Sequence, residues 1–246
     1  MKHLAVHLCA FVAIVFLVNP SPASALEDMI SIGDLSVDRT EVSIASFAVF
    51  ADDTGFVSAA EQAGGGLVYA NGWEQMSGWT WRQPFGDRAD DRLPAVHLTF
   101  DEAQTYCRWR GARLPTDEEW ERVAYTEARK NPPAPFTRST TYSYPTGDEP
   151  AGANCLNECG PTPAVDYSAR LNQGIGPAPV GTTRPGVNGL YDMGANVWEW
   201  TNIDDQNSGG TRGGSWWYGA SQMRRTHRAT KPRDMSVVYI GFRCVR

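Results

Sequence analysis

The residues of this chain best equipped for chemistry carry sulfur. Five cysteines stand at Cys9, Cys107, Cys155, Cys159 and Cys244. Cys9 lies in an apolar run from Leu4 to Val18, interrupted only by His7, behind Lys2 and ahead of Pro20 and Pro22. Ala23-Ser24-Ala25 follows. A positive start, a short apolar run and an A-x-A site predict a signal peptide over 1–25, cleaved near Ala25. Residues 26–246 are then expected in the periplasm or outside the cell. The run is short for a membrane span and no later stretch serves as one. Four cysteines remain in an oxidising compartment, where an even count reads as two disulfides with three possible pairings. Cys155 and Cys159 are close enough to pair locally. That would leave Cys107 for Cys244 and close most of the domain. Zinc is the rival reading, but Cys107 and Cys244 have no Cys or His close by in sequence to complete a ligand set.

Other candidates are less specific. Met223 and His227 are four apart, and a thioether with an imidazole can hold copper if a helix aligns them. The plainer expectation is that Met223 packs in the core and His227 makes an ordinary hydrogen bond, and a Cu(I) titration separates the two. His97, between Val96 and Leu98, reads as a structural histidine. The run Arg224, Arg225, His227, Arg228 reads as a solvated basic face rather than a ligand pocket. Of nine tryptophans, Trp198 and Trp200 are expected to pack. Trp73, Trp79, Trp81, Trp216 and Trp217 are candidates to line a groove, since aromatic faces suit sugars, peptides and planar ligands.

These residues need a scaffold. The chain has 246 residues, 41% hydrophobic and 20% charged, with a formal net charge of -6. It is long enough for one large core. The acidic balance argues against a general nucleic-acid binder. Met29 to Arg39 alternates as strand and turn. Thr40 to Phe56 has helical spacing, with Val42, Phe47, Phe50 and Ala51 facing inward. Gly64-Gly65-Gly66 opens an aromatic, irregular segment. Thr99 with Glu102, and Thr116 with Glu119, are capping boxes that start two helices, the first ended by Gly111. Tyr142 to Val187 is rich in Gly, Pro, Asn and Thr and reads as ordered loop. Nothing marks a linker, so 26–246 reads as one domain.

Four stretches carry a family resemblance. They are Asp38-Arg39-Thr40-Glu41-Val42, then Pro94 to Tyr125 (PAVHLTFDEAQTYCRWRGARLPTDEEWERVAY), then Pro179 to Thr201 (PVGTTRPGVNGLYDMGANVWEWT), then RGGSWW from Arg212 with GFRC from Gly241. In this order they resemble the formylglycine-generating enzyme, or sulfatase-modifying factor, family. The resemblance implies an α+β, C-type-lectin-like fold, loop-rich with few helices and small sheets. It implies the Cys107–Cys244 disulfide. It also implies a calcium site with side-chain oxygens from Asn196 and Glu199 and carbonyls from Gly194 and Val197. The family has glycine where this chain has Ala195, which matters if that position needs a positive φ. A second family calcium site would fall near Asn154 and Asp166.

The best-known family chemistry is missing. Authentic members place two cysteines after the GGS segment, where their thiolates bind Cu(I) and oxidise a substrate cysteine with O₂. The matching positions here are Tyr218 and Met223. Some relatives without the pair tailor small molecules, as in pyoverdine maturation. Others make sulfoxides with an added three-histidine iron module, whereas residues 26–246 contain only His97 and His227. The expectation is therefore an exported oxidative tailoring or maturation protein that takes a peptide or small molecule at the Arg212–Met223 segment. Tyr218 would be the reactive group, with Ser215 and Arg224 positioning substrate. The alternative is a non-catalytic, lectin-like binding module.

Overall fold

The computed structural model describes residues 28–246. The expected signal peptide and its cleavage site lie outside the described residues. The elements are β1 (Met29–Ile32), β2 (Leu35–Asp38), α1 (Ile44–Thr54), α2 (Ala59–Gln62), β3 (Leu67–Tyr69), β4 (Trp73–Gln75), α3 (Phe100–Trp109), α4 (Asp117–Tyr125), β5 (Trp198–Thr201), β6 (Ser208–Arg212), β7 (Ala229–Pro232) and β8 (Ile240–Gly241). Long irregular segments join them. This is the loop-rich α+β architecture that the resemblance implies.

The capping boxes do what their spacing requires. The Thr99 hydroxyl accepts from Glu102 N and the Glu102 carboxylate from Thr99 N (3.3 and 2.8 Å). Thr116 and Glu119 repeat the arrangement at 3.1 and 2.9 Å. Each box satisfies two of the orphan donors at a helix start. A third box, Ser58 with Glu61, starts the short α2 and was not anticipated.

α1 begins later than its spacing suggests. Residues 40–43 stay extended because Val42 N donates to Phe242 O and Val42 O accepts from Ala95 N (both 2.9 Å). Ser43 then caps the helix, and Gly55, at φ 68°, ends it in the left-handed conformation.

β1–β2 and β3–β4 are two-stranded antiparallel sheets. The main sheet runs β7-β6-β5-β8, with β5 and β8 parallel and the other pairs antiparallel. α1 and α3 pack on each other and on Phe242, just past β8, through stacked and edge-on aromatics, Phe47 against Tyr106 (5.4 Å) and Tyr106 against Phe242 (5.4 Å), while Trp200 of β5 meets Phe100 of α3 edge-on (5.9 Å). Both disulfides are formed. Cys107–Cys244 ties α3 to the chain end beyond β8, and Cys155–Cys159 closes a loop.

His97 is structural, as its setting implied. It is fully buried at φ 56°, with Nε2 3.0 Å from Pro84 O. A Cβ on Gly66 would stand 2.1 Å from its Nδ1, so that glycine makes room for the ring. Burial pushes the His97 pKa down to about 4 from 6.5. The folded state therefore holds His97 neutral while the unfolded chain protonates. Its contribution is present above pH 6.5 and is lost as pH falls toward 4, about 3 kcal/mol in all. Stability measured by urea unfolding across this window, wild type against His97→Asn, is expected to show that slope only in the wild type. Equal slopes would contradict the assignment. Asn tolerates the left-handed backbone, so the comparison isolates the ring.

Candidate functional site

The segment after β6 is held in place from both sides. Gly213 and Gly214 have φ of 92° and 80°, and a Cβ on Gly213 would lie 2.8 Å from Met193 O. Two glycines are thus required to turn the chain. Ser215 is buried. Its carbonyl accepts from Tyr218 N (3.0 Å) and its hydroxyl from Trp217 N (3.3 Å), which makes it a turn former. Trp216 N donates to Asn196 O (2.9 Å), tying the turn to the strand-entry loop before β5. Tyr218 is half-buried, its ring 5.7 Å from Trp198 and 5.8 Å from Tyr239. Burial, with the neighbouring Tyr218 hydroxyl, pushes the Tyr239 phenol well up.

A second loop closes over this turn. Leu156 N donates to Tyr218 O (3.0 Å), and a Cβ on Gly219 would stand 2.9 Å from Asn157 Oδ1. Between them lies a cavity of about 590 Å³, lined by Cys155, Leu156, Asn157, Glu158, Ile175 and Trp216 among others. Leu156 and Ile175 are exposed at 39% and 43%, giving the opening apolar lips. Trp216 is buried, and its indole N–H has no partner among the described residues.

Met223 closes the segment from behind. It ends a four-residue 3₁₀ helix, Ala220–Met223, is fully buried, and its carbonyl accepts from Tyr125 Oη (2.9 Å). Its Sδ lies 3.7 Å from Cys159 Sγ.

The expected site residues therefore separate. Ser215 builds the turn that Tyr218 closes and Met223 follows it, and of this segment Trp216 alone is in the cavity lining. Arg224 lies elsewhere: its guanidinium sits 5.0 Å over the Tyr144 ring and lines a different cavity of about 280 Å³ with Thr141, Tyr142 and Ser143. No helical turn aligns Met223 with His227, because the 3₁₀ helix stops at Arg224 in extended backbone. The His227 ring lies instead 5.6 Å from Trp198. The five tryptophans do not share one groove. Trp79, Trp81 and Trp217 are core residues, Trp216 walls the cavity, and Trp73 is exposed beside Tyr69. The basic run is a salt-bridged face, with Arg225 and Arg228 on Glu121 at 3.1 and 2.7 Å.

The two side chains expected to hold calcium, Asn196 and Glu199, have their oxygens engaged by protein donors. Both oxygens of Glu199 face Arg243 (2.7 and 2.6 Å), and one also accepts from Trp120 Nε1 (2.7 Å). Asn196 Oδ1 accepts from Ala178 N and Asn154 Nδ2 (2.8 and 3.0 Å). Calcium needs six to eight free oxygens, whereas these already receive N–H donors and a guanidinium. Ala195 does adopt a positive φ, 58°, without glycine, and Asn196 follows at 55°. Asn154 Oδ1 accepts from Thr162 Oγ1 (2.8 Å), while Asp166 caps Ser168 N, so these two do not form a ligand pair either.

Two buried carboxylates nearby escaped the sequence reading. Glu41 accepts from Asn196 Nδ2 (2.6 Å) and Val197 N (3.1 Å). Asp192 accepts from Gly181 N (2.7 Å) and Thr183 Oγ1 (2.5 Å). Burial raises both pKa values, Glu41's strongly. The signal was present, since each lies within a resembling stretch.

Comparison with known proteins agrees with the fold. The sequence profile of the sulfatase-modifying factor enzyme 1-like domain matches residues 21–246. The formylglycine-generating enzyme of Streptomyces coelicolor is 30% identical over 253 residues, covering 85% of this chain and 76% of that one. The mouse inactive C-alpha-formylglycine-generating enzyme 2 is 34% identical over 188 residues, covering 70% of this chain and 56% of that one. The structure of PvdO from Pseudomonas aeruginosa superposes with a TM-score of 0.57 at 18% identity, covering 86% of this chain and 80% of that one, a likeness of fold. The chain belongs to the sulfatase-modifying factor, or formylglycine-generating enzyme, family.

Proposed function

Starting from that membership, we propose that the chain is an exported tailoring or maturation protein that oxidises a peptide or small molecule, with dioxygen as acceptor. Its substrate enters the cavity between the Cys155–Cys159 loop and Trp216. One observation carries this reading. Trp216 walls the cavity and leads directly into the stretch where the family keeps its reactive pair; Tyr218 and Met223 hold those positions here, close to the cavity but outside its lining. Neither side chain is a thiol, so the chemistry takes another route than the two-cysteine one. Tyr218, half-buried between two aromatic rings, is the proton- or electron-transferring candidate. A phenol held in an apolar setting can serve as acid, base or radical relay.

A cell-envelope extract of peptides and metabolites, incubated aerobically with the purified protein and followed by mass spectrometry, tests this. A compound that gains oxygen or loses two hydrogens is expected. The Tyr218→Phe variant should lose about 100-fold in rate, the usual scale for a proton-transferring group. Full activity in that variant would remove Tyr218 from the mechanism. A second reading, a lectin-like binding module, is favoured by the apolar lips and by the mouse relative whose name marks it inactive. Retention of an unchanged extract component, with no mass change, would select it.

A further inference from the structure

Three sulfur atoms from two distant parts of the chain converge behind the cavity. Cys159 and Met223 are 64 residues apart in sequence, yet Cys159 Sγ touches Met223 Sδ at 3.7 Å. Cys155 completes the group through its bond to Cys159. Tyr144, Ala153, Ala195 and Ala220 form an apolar wall around it. Cys155 is also part of the cavity lining. The group therefore has a dry back and an open front.

We propose that reduction of Cys155–Cys159 converts these three sulfurs into a soft-cation site of two thiolates and a thioether, suited to Cu(I). It is not the family's two-thiolate pair: Met223 alone coincides with one of those positions, and both thiolates come from the other loop. Two electrons and two protons from a dithiol reductant open the S–S bond to two thiols, and the reductant leaves as a disulfide. Cu(I) then displaces both thiol protons. Thiolate and thioether are the ligand types that select this ion. For metal–sulfur bonds of about 2.3 Å, three trigonal ligands stand ~4 Å apart. The Cys159–Met223 spacing already meets that, and opening the disulfide frees Cys155 to take the third corner.

Selectivity between the two disulfides follows from position. Cys107 and Cys244 are both fully buried, whereas Cys155 is 7% exposed and lines a cavity. A phosphine reductant should reach Cys155–Cys159 first.

The experiment uses chain 26–246. It is mildly reduced until alkylation and peptide mass spectrometry count free thiols at Cys155 and Cys159 only. Cu(I) is then titrated against a competing chromogenic chelator. One Cu(I) is expected per reduced chain and none on the oxidised chain. Cys155→Ser/Cys159→Ser should lose binding, and Met223→Leu should weaken it at least about tenfold. Should Met223→Leu fail to fold, X-ray absorption of the wild-type Cu(I) form decides, with three sulfur neighbours expected. A reduced chain that takes up no Cu(I), an unchanged affinity in Met223→Leu, or two sulfur neighbours would overturn the assignment. None of these readouts depends on turnover, so this site and the oxidation proposed above fail separately.

Discussion

Replacing Arg243 with methionine is expected to destabilise the protein by about 3–5 kcal/mol, the scale for removing one partner of a buried ion pair. Arg243 is fully buried. It donates to both oxygens of Glu199 and to the carbonyls of Asp38 and Tyr191 (both 2.9 Å). It also lowers the pKa of Glu41 and Asp192 against the larger, opposing effect of burial. Without it, three carboxylates share a low-dielectric interior with no cation among them. A urea unfolding midpoint at neutral pH measures the loss, and a loss under about 1 kcal/mol would contradict the picture. The pH dependence has a definite sign. Glu41 and Asp192 titrate above their unfolded values, so their contribution is full below the ordinary carboxylate pKa and is lost as pH rises through the raised one. Removing Arg243 raises them further. The deficit of the variant should therefore shrink as pH is lowered from 7 toward 5. Arg243→Lys keeps the charge but not the two-pronged geometry, and should fall between the two.

Removing the Cys107–Cys244 disulfide with paired alanines should cost about 4–5 kcal/mol on chain-entropy grounds, because the bond spans 137 residues. The bond also fastens α3 to the terminal segment, where Val245 pairs with Val37 and with Arg113. Its loss frees the edge of two elements at once. The Cys155–Cys159 bond spans only 4 residues, so the same treatment there should cost roughly 2 kcal/mol. Thermal unfolding of the two double variants in parallel checks the contrast. Equal losses would mean that the long bond constrains an unfolded chain that is already compact.

Much of the scaffold was legible because its signals are local. Thr99 with Glu102 and Thr116 with Glu119 mark helix starts within four residues. Ser58 with Glu61 carries the same signal, but α2 is too short for any apolar period to reinforce it. The start of α1 was misplaced because Val42 reads equally well as a helical inner face or as strand. The choice was made by Phe242 and Ala95, which lie far along the chain. The site was less legible for the same reason. Asn196 and Glu199 have calcium-ligand chemistry in sequence, and only the fold brings Arg243, Trp120 and Asn154 onto their oxygens. Met223 paired naturally with His227 at helical spacing, yet the chain leaves the helix there and delivers Met223 to Cys159. Trp216 and Trp217 are neighbours in sequence, and the turn at Ser215 sends one to the cavity wall and the other into the core.

The central claim is that the cavity between the Cys155–Cys159 loop and Trp216 is where substrate is taken. The most direct test fills it. Leu156→Trp adds bulk at an exposed lip, away from the buried core. Product formation from the envelope extract should be abolished in this variant, with an unchanged unfolding midpoint showing that the fold is intact. Product formation at the wild-type rate in a folded Leu156→Trp protein would contradict the claim and move the site elsewhere on the molecule.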